Sequence, residues 1–472
     1  MERALAPTPI LEDLRQLTDT IGGRPTGSAA LERAVDWGLV KFREAGLENV
    51  RAEAYAAPRT WLAGAASATI IAPRAAWATP GSERLRVAAM PFSTATPADG
   101  LEAEVVDVGE GDAPAFAAAG AKVAGRLVLF HTAPMRGMDD LFKEYMETHG
   151  RLDRARDARA AGVLWMSTRP GRLLYRHNMT LDGSLYPLPG AVVEREGALR
   201  LARLLAAGET VRLRLVLDSR TGVDTPARNA VAEIRGREKP DEVVILGAHL
   251  DSWDLGQGAL DNGCNAALVI DAARQSAALA REGTRPRRTL RFVLYTGEEA
   301  GLWGSFAEVR RHRSELDRVK AQIVFDIGSG KTTGFSLGGR ADLQPAVEAA
   351  LLPARARGPF TQTTDAFIGT DNYDYLVEGV PTLVANQDGR PYLADYHAES
   401  DTFDKVDQEQ LKANAAIAAV VAWGLADLPA APAPRQTRAE VEALAQATGL
   451  AEQMKLFGLW DPFVSGARGR AP

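Results

Sequence analysis

A chain of 472 residues is too long for one ordinary core and implies two domains or three. With 46% hydrophobic and 25% charged residues and a formal net charge of -6, it has neither the basic footprint of a nucleic-acid binder nor a polybasic membrane patch. A single cysteine, Cys264, excludes an intrachain disulfide and any zinc site made of several thiolates, and reads as a small buried packing residue.

Residues 1–14 lack an apolar signal-peptide core, and no run approaches the roughly 18 apolar residues of a spanning helix. As written, the chain is expected to be cytoplasmic or to have lost an export signal. Residues 10–21 read as a short helix, and 22–28 (GGRPTGS) as a turn whose Ser28 caps the next helix. Leu31, Ala34, Val35, Leu39 and Phe42 recur at helical spacing until Gly46. Short alternating segments at 66–71 and 84–89 read as strands.

Between 101 and 220 short strands and helices alternate with few clustered acids, and this stretch reads as an insert. Within it 122–130 is expected as a strand entered through Gly125, and 156–167 as a helix feeding an apolar strand. A strand at 188–193 and a helix at 196–205 follow, with Gly208 as stop signal. His131, His149 and His177 stand alone and read as hydrogen-bonded or exposed side chains rather than ligands.

From Asn229 the pattern becomes α/β, with strand-like runs at 230–234, 242–246, 290–295, 322–325 and 382–385 separated by helical stretches, as a mostly parallel sheet requires. A helix is expected at 262–279 and another at 407–428, with Asp407 and Gln410 placed like a capping box. Arg285, Arg287, Arg288 and Arg291 read as a solvated face. Pro429, Pro432 and Pro434 form a linker, and 437–457 is an amphipathic tail that docks on the body or on a second copy of the chain.

Acids and histidines gather where these strands end. Residues 247–267, GAHLDSWDLGQGALDNGCNAA, carry His249, Asp251 and Asp261; TGEEAG carries Glu298 and Glu299; Asp326 follows 322–325; and His397 lies in ADYHAESDTFDKVD. Carboxyl ends of strands are where open α/β sheets place their sites. Converging buried charge needs an opposite charge, and imidazole with carboxylates suits zinc, cobalt or manganese. Asp261, with two oxygens, can bridge two metals; His249 and Asp326 then complete one and Glu299 with His397 the other. Glu298, pointing differently from Glu299, is left to act as general base, and Asp251 is placed to accept the second imidazole N–H of His249. Trp253 and Tyr396 flank these positions as pocket aromatics. GSGKTT at 328–333 imitates a P-loop, but Phe325 stands where that motif needs glycine.

These motifs, with GGRPTGS and the helix behind it, resemble the co-catalytic zinc exopeptidases of the bacterial leucine aminopeptidase type. The nearest branch is the carboxypeptidase Q-like one, also called plasma glutamate carboxypeptidase. The resemblance covers roughly 10–100 and 221–427, and implies an α/β three-layer sandwich with an inserted protease-associated-like domain. It assigns metal roles to His249, Asp261, Glu299, Asp326 and His397, the base role to Glu298 and an orienting role to Asp251. Two departures stand out: Asn262, Gly263 and Cys264 follow the bridging Asp261, and VFDIGSGKT around Asp326 differs from the acid-rich version of that branch. The expected organisation is a discontinuous peptidase domain at 1–100 and 221–429, an insert at 101–220 and a linker with helical tail at 430–472. The expected activity is hydrolysis of short peptides or dipeptides with two zinc ions. An amidohydrolase acting on N-acyl amino acids and a metal-free binding protein on the same scaffold are the rival readings.

Overall fold

The computed structural model describes residues 1–73, 81 and 83–471. The chain forms two compact units, one of Met1–Pro58, Val223–Tyr392 and Asp401–Pro472, the other of Arg59–Gly222 and Leu393–Ser400.

At the heart of the first unit four strands run parallel. Lys239–His249 lies between Arg288–Tyr295 and Val319–Val324, and the latter pairs onward with Thr382–Gln387. The antiparallel edges are Thr332–Ser336 on Thr382–Gln387, and residues 230–234 on Arg288–Tyr295. Arg288–Tyr295 is buried along its whole length, so its apolar residues Leu290 and Phe292–Tyr295 do not alternate with exposed ones.

Chain order and sheet order together locate the site. From Lys239–His249 the chain passes to Arg288–Tyr295 on one side, then crosses to Val319–Val324 on the other. That reversal opens a crevice beyond the carboxyl ends of Lys239–His249 and Val319–Val324, where ligands bind in open α/β sheets. Register keeps the ends level, with Tyr295 opposite His249 and Val324 opposite Gly247. Helices Ala29–Ala45 and Gln408–Asp427 pack on Cys264–Arg281, which lies on the central strands, while Trp303–Arg311 packs on Asn372–Val377.

Several local expectations need correction. The four arginines do not form a solvated face: Arg288 and Arg291 are buried, paired with Glu242 at 2.6 Å and Glu233 at 2.8 Å. Asp407 does cap its helix through Gln410 N–H, but the Gln410 amide turns to Asn414 at 2.8 Å, so the box is not reciprocal. The tail is two helices, Arg438–Ala447 and Leu450–Leu456, broken at Gly449 with φ +77°. The reciprocal capping box is there instead, between Thr437 and Glu440. Leu444 packs against Gly339 and Gln453 accepts from Ile368 N–H, which docks the tail on the first unit.

The second unit has its own mixed sheet. Leu101–Asp107, Leu127–Phe130, Gly162–Met166 and Gly190–Val193 run parallel, with residues 212–215 and Val87–Ala89 as antiparallel edges. It begins at Arg59, well before residue 101, because Glu48–Ala72 is one long strand and Val87–Ala89 pairs with Gly190–Val193. Residues 122–130 are strand only from Leu127, and the helix ahead of Gly162–Met166 is Met138–Asp157, ending where 156–167 was expected to begin one.

In this unit His177 is buried, hydrogen-bonded through Nε2 to Thr148 Oγ1 at 2.7 Å and stacked on Trp165. Burial pushes its pKa down to about 4, against the opposing pull of Glu144. The folded value lies below the ordinary ~6.5 of an unfolded histidine, so the unfolded chain binds the extra proton between them. Stability from this group is therefore complete above about pH 6.5 and is lost as pH falls towards 4, by up to about 1.4 kcal/mol per pH unit. Denaturant unfolding of wild type and His177→Gln at pH 7 and pH 5 is expected to show a smaller pH loss in the variant. Equal losses would refute this.

Candidate metal centre

The strand ends deliver the ligand atoms. His249 closes Lys239–His249, and Asp326 stands two residues beyond Val319–Val324 across the crevice. His249 Nε2 lies 2.9 Å from Asp326 Oδ1 and 3.3 Å from Asp261 Oδ1. All three residues are buried, and their ligand atoms fall within 4.8 Å of one another. Burial works against a charged His249, yet Asp326 and Glu298, with hydrogen bonds to Asp251 and Asp261, hold its pKa well above the ordinary range. The carboxylates thus draw a positive charge to this point, and the donor set fits a divalent metal.

Asp261 and Glu299 likewise bring carboxylate oxygens within 4.8 Å of each other. Glu298 and Glu299 sit in the loop after Arg288–Tyr295, where Gly297 has φ +78°. Burial pushes Glu298 well above the usual carboxylate range; His249 opposes this, and Asp326 and Glu299 add to it.

Asp251 works differently from expectation. The Nδ1 of His249 meets the Asp251 backbone carbonyl at 3.0 Å, while the carboxylate is 3.7 Å away. That carboxylate instead accepts from the backbone N–H of Glu298 at 3.2 Å and of Glu299 at 3.3 Å, and from Thr26 Oγ1 at 2.9 Å. One side chain therefore orients the acidic loop, and its carbonyl orients the imidazole.

Two further residues, absent from the sequence reading of the site, shape the segment between His249 and Asp261. The guanidinium of Arg24, fully buried, donates to the carbonyls of Leu250, Gly22, Gln257 and Gly258 at 2.7 to 2.9 Å. Burial lowers its pKa to about 10, with Asp401 the leading opposing charge. Asp401 accepts from the N–H groups of Ala259 at 3.0 Å, Leu260 at 2.6 Å and Asp261 at 3.1 Å. Burial raises its carboxyl to about 7 against those backbone bonds. Replacing Asp401 by Asn turns an acceptor partly into a donor against three N–H groups. Zinc affinity is expected to fall about 10–100-fold, read by competition with a chromogenic chelator. Unchanged affinity would remove Asp401 from this role.

His397 is carried by the short segment Leu393–Ser400 that belongs to the second unit. There its carbonyl accepts from Arg176 N–H at 2.9 Å, its Nδ1 lies 3.2 Å from the Arg176 carbonyl, and Tyr396 stacks on its ring at 3.7 Å. Its φ of +55° is a left-handed conformation that costs an L residue of order 1 kcal/mol and recurs at functional positions. Trp253 is buried in the first unit. Cys264 is buried and its thiol faces the Leu260 carbonyl at 3.5 Å. The P-loop imitation has a packing reason: a Cβ on Gly330 would fall 2.0 Å from the Asp388 carbonyl, and Ser329 Oγ accepts from Asp407 N–H.

A profile of peptidase family M28 matches residues 229–422. Carboxypeptidase Q of Mus musculus is 30% identical over 419 residues, which is 88% of this chain and 85% of that protein. Carboxypeptidase Q of Homo sapiens is 29% identical over the same shares. Among solved structures, a peptidase M28 precursor from Shewanella amazonensis superposes with a TM-score of 0.81 at 28% identity, covering 92% of this chain and 97% of that one. A zinc aminopeptidase from Bacillus subtilis shares the fold with a TM-score of 0.67 at 19% identity, over 87% and 93%.

Proposed function

As the chain belongs to peptidase family M28 and is a metal-dependent exopeptidase, we propose that it cleaves short peptides or dipeptides at a two-zinc centre. The observation that carries this is the meeting of His249, Asp261 and Asp326 at the switch point of the sheet, with Glu299 sharing Asp261. In this proposal His249 and Asp326 would hold one zinc and Glu299 and His397 the other, with Asp261 as a ligand to both; cobalt or manganese would suit the same donors. Bound there, zinc supplies charge that polarises the scissile carbonyl and lowers the pKa of water towards about 7.

The remaining steps fall to side chains of this chain. Glu298 takes the proton of the attacking water and hands it to the departing amine. Asp251 holds the Glu298 and Glu299 N–H groups, so the base and its neighbouring ligand move as one piece. Arg24 and Asp401 keep the segment around Asp261 from relaxing when its charge is neutralised. The second unit is proposed as a protease-associated-like insert.

The test is amino-acid release from one dipeptide in free, N-acetylated and C-amidated forms, with zinc and with chelator. Cleavage of the free form that chelator abolishes is expected. Loss on acetylation then identifies an aminopeptidase, loss on amidation a carboxypeptidase, and loss on both a dipeptidase. Zinc bound with no form cut would defeat the proposal in favour of non-peptide amides or a binding role.

A further inference from the structure

A second cluster with the make-up of a metal site lies at the other end of the same sheet. Glu53 stands on the strand Glu48–Ala72, Glu308 in the helix Trp303–Arg311, and His312 directly after that helix. Glu308 and His312 are four residues apart, the spacing that puts two side chains on one helical face. Their ligand atoms and those of Glu53 fall within 4.8 Å of one another. His312 Nε2 is 3.1 Å from Glu53 Oε2 and 3.7 Å from Glu308 Oε1.

Two independent features point to a cation. Glu308 is buried, and among the described residues its Oε2 has no hydrogen-bond partner outside the cluster, its carboxyl being held against that of Glu53. A buried carboxylate oxygen in that state is costly unless a positive charge meets it. On its far side, His312 Nδ1 lies 3.3 Å from Glu315 Oε2, the carboxylate behind an imidazole that orients metal-binding histidines and leaves Nε2 facing Glu53. His249, with Nδ1 on a carbonyl and Nε2 among carboxylates, follows the same plan.

Neighbouring arginines do not fill the place. Arg51 and Arg311 approach Glu53 at 2.7 and 3.3 Å, and Arg291 approaches Glu308 Oε1 at 3.4 Å. A carboxylate has about four lone-pair directions, so each can keep its arginine and still coordinate. A cavity of about 330 Å³ is bordered by Glu233, Arg291, His312 and Glu315 and so reaches one of the three residues, His312. It also touches Val243, six residues before His249 on one strand, which places it roughly 20 Å from the catalytic end.

We propose that Glu53, Glu308 and His312 form a second, non-catalytic binding site for a divalent transition metal such as zinc. Its mechanical sense follows from the elements joined. Trp303–Arg311 begins just behind the Glu298–Glu299 loop, and Tyr55, two residues past Glu53, donates to the Thr296 carbonyl at 2.7 Å. An ion here ties the far end of that helix to the strand that supports the catalytic loop.

The site stands apart from the catalytic reading and is tested apart from it. In a His249→Ala, Asp261→Ala background, equilibrium dialysis against zinc is expected to leave one ion per chain. Adding His312→Gln or Glu308→Gln is expected to lower that affinity at least about tenfold. If the background does not fold, the same single-ion difference is read between wild type and His312→Gln, with melting temperature followed with and without zinc. Zinc content and zinc-induced melting shift unaffected by both His312→Gln and Glu308→Gln would overturn the proposal, leaving His312 as an imidazolium paired with Glu53.

Discussion

Replacing Glu298 by Ala is expected to lower turnover of a dipeptide by about 10²–10⁴-fold while zinc content and melting temperature stay at wild-type values. The separation of effects follows from which atoms do what. The loop is tied to Asp251 through the backbone N–H groups of Glu298 and Glu299, and those bonds survive loss of the Glu298 side chain. What disappears is the carboxyl set among His249, Asp326 and Glu299. Glu298→Gln, which keeps the volume and removes the base, is expected to match Glu298→Ala. Turnover close to wild type in either variant would remove Glu298 from the base role.

Asp261→Ala is expected to do the opposite, with the zinc of the catalytic centre and the activity lost together. Asp261 shares ligand-atom proximity with His249 and Asp326 and also with Glu299, so its removal strips an oxygen from both proposed ions. Asp326→Ala removes a ligand from one ion only. Zinc counted per chain after dialysis is expected to fall further in Asp261→Ala than in Asp326→Ala, with dipeptide turnover at background in Asp261→Ala. An Asp261→Ala protein that keeps full zinc would show that this carboxylate does not bridge. With Glu298→Ala expected to keep the catalytic metal and Asp261→Ala to lose it, the pair separates loss of the base from loss of the centre.

The part of this site legible in the sequence is the part with a local signature. Residues 243–246 and 292–295 are unbroken apolar runs because strands buried on both faces have little polar side, and the acids follow where the chain leaves the sheet. Parallel register then does the rest, setting Tyr295 beside His249 and Val324 beside Gly247. The supporting residues carry no such signature. Arg24 reaches carbonyls more than 200 positions away in sequence, and Asp401 caps N–H groups some 140 positions back. Asp251 shows the limit more finely: its spacing from His249 is compatible with both a carboxylate and a carbonyl contact, and only the fold decides for the carbonyl.

Burial of charge was the other source of error. An arginine-rich stretch on paper is polar, yet Arg288 and Arg291 lie inside because Glu242, Glu233 and Glu308 come from other elements to meet them. A 25-residue strand, Glu48–Ala72, is far longer than usual and runs through the point where the chain passes from one unit to the other, with Pro58 as the last residue before the junction.

The central claim is that two ions share Asp261. The most direct measurement is an anomalous difference map at the zinc edge from crystals grown with zinc. Two peaks roughly 3.5 Å apart on either side of the Asp261 carboxylate are the predicted result. A single peak there, or none, in crystals of active enzyme would contradict the account.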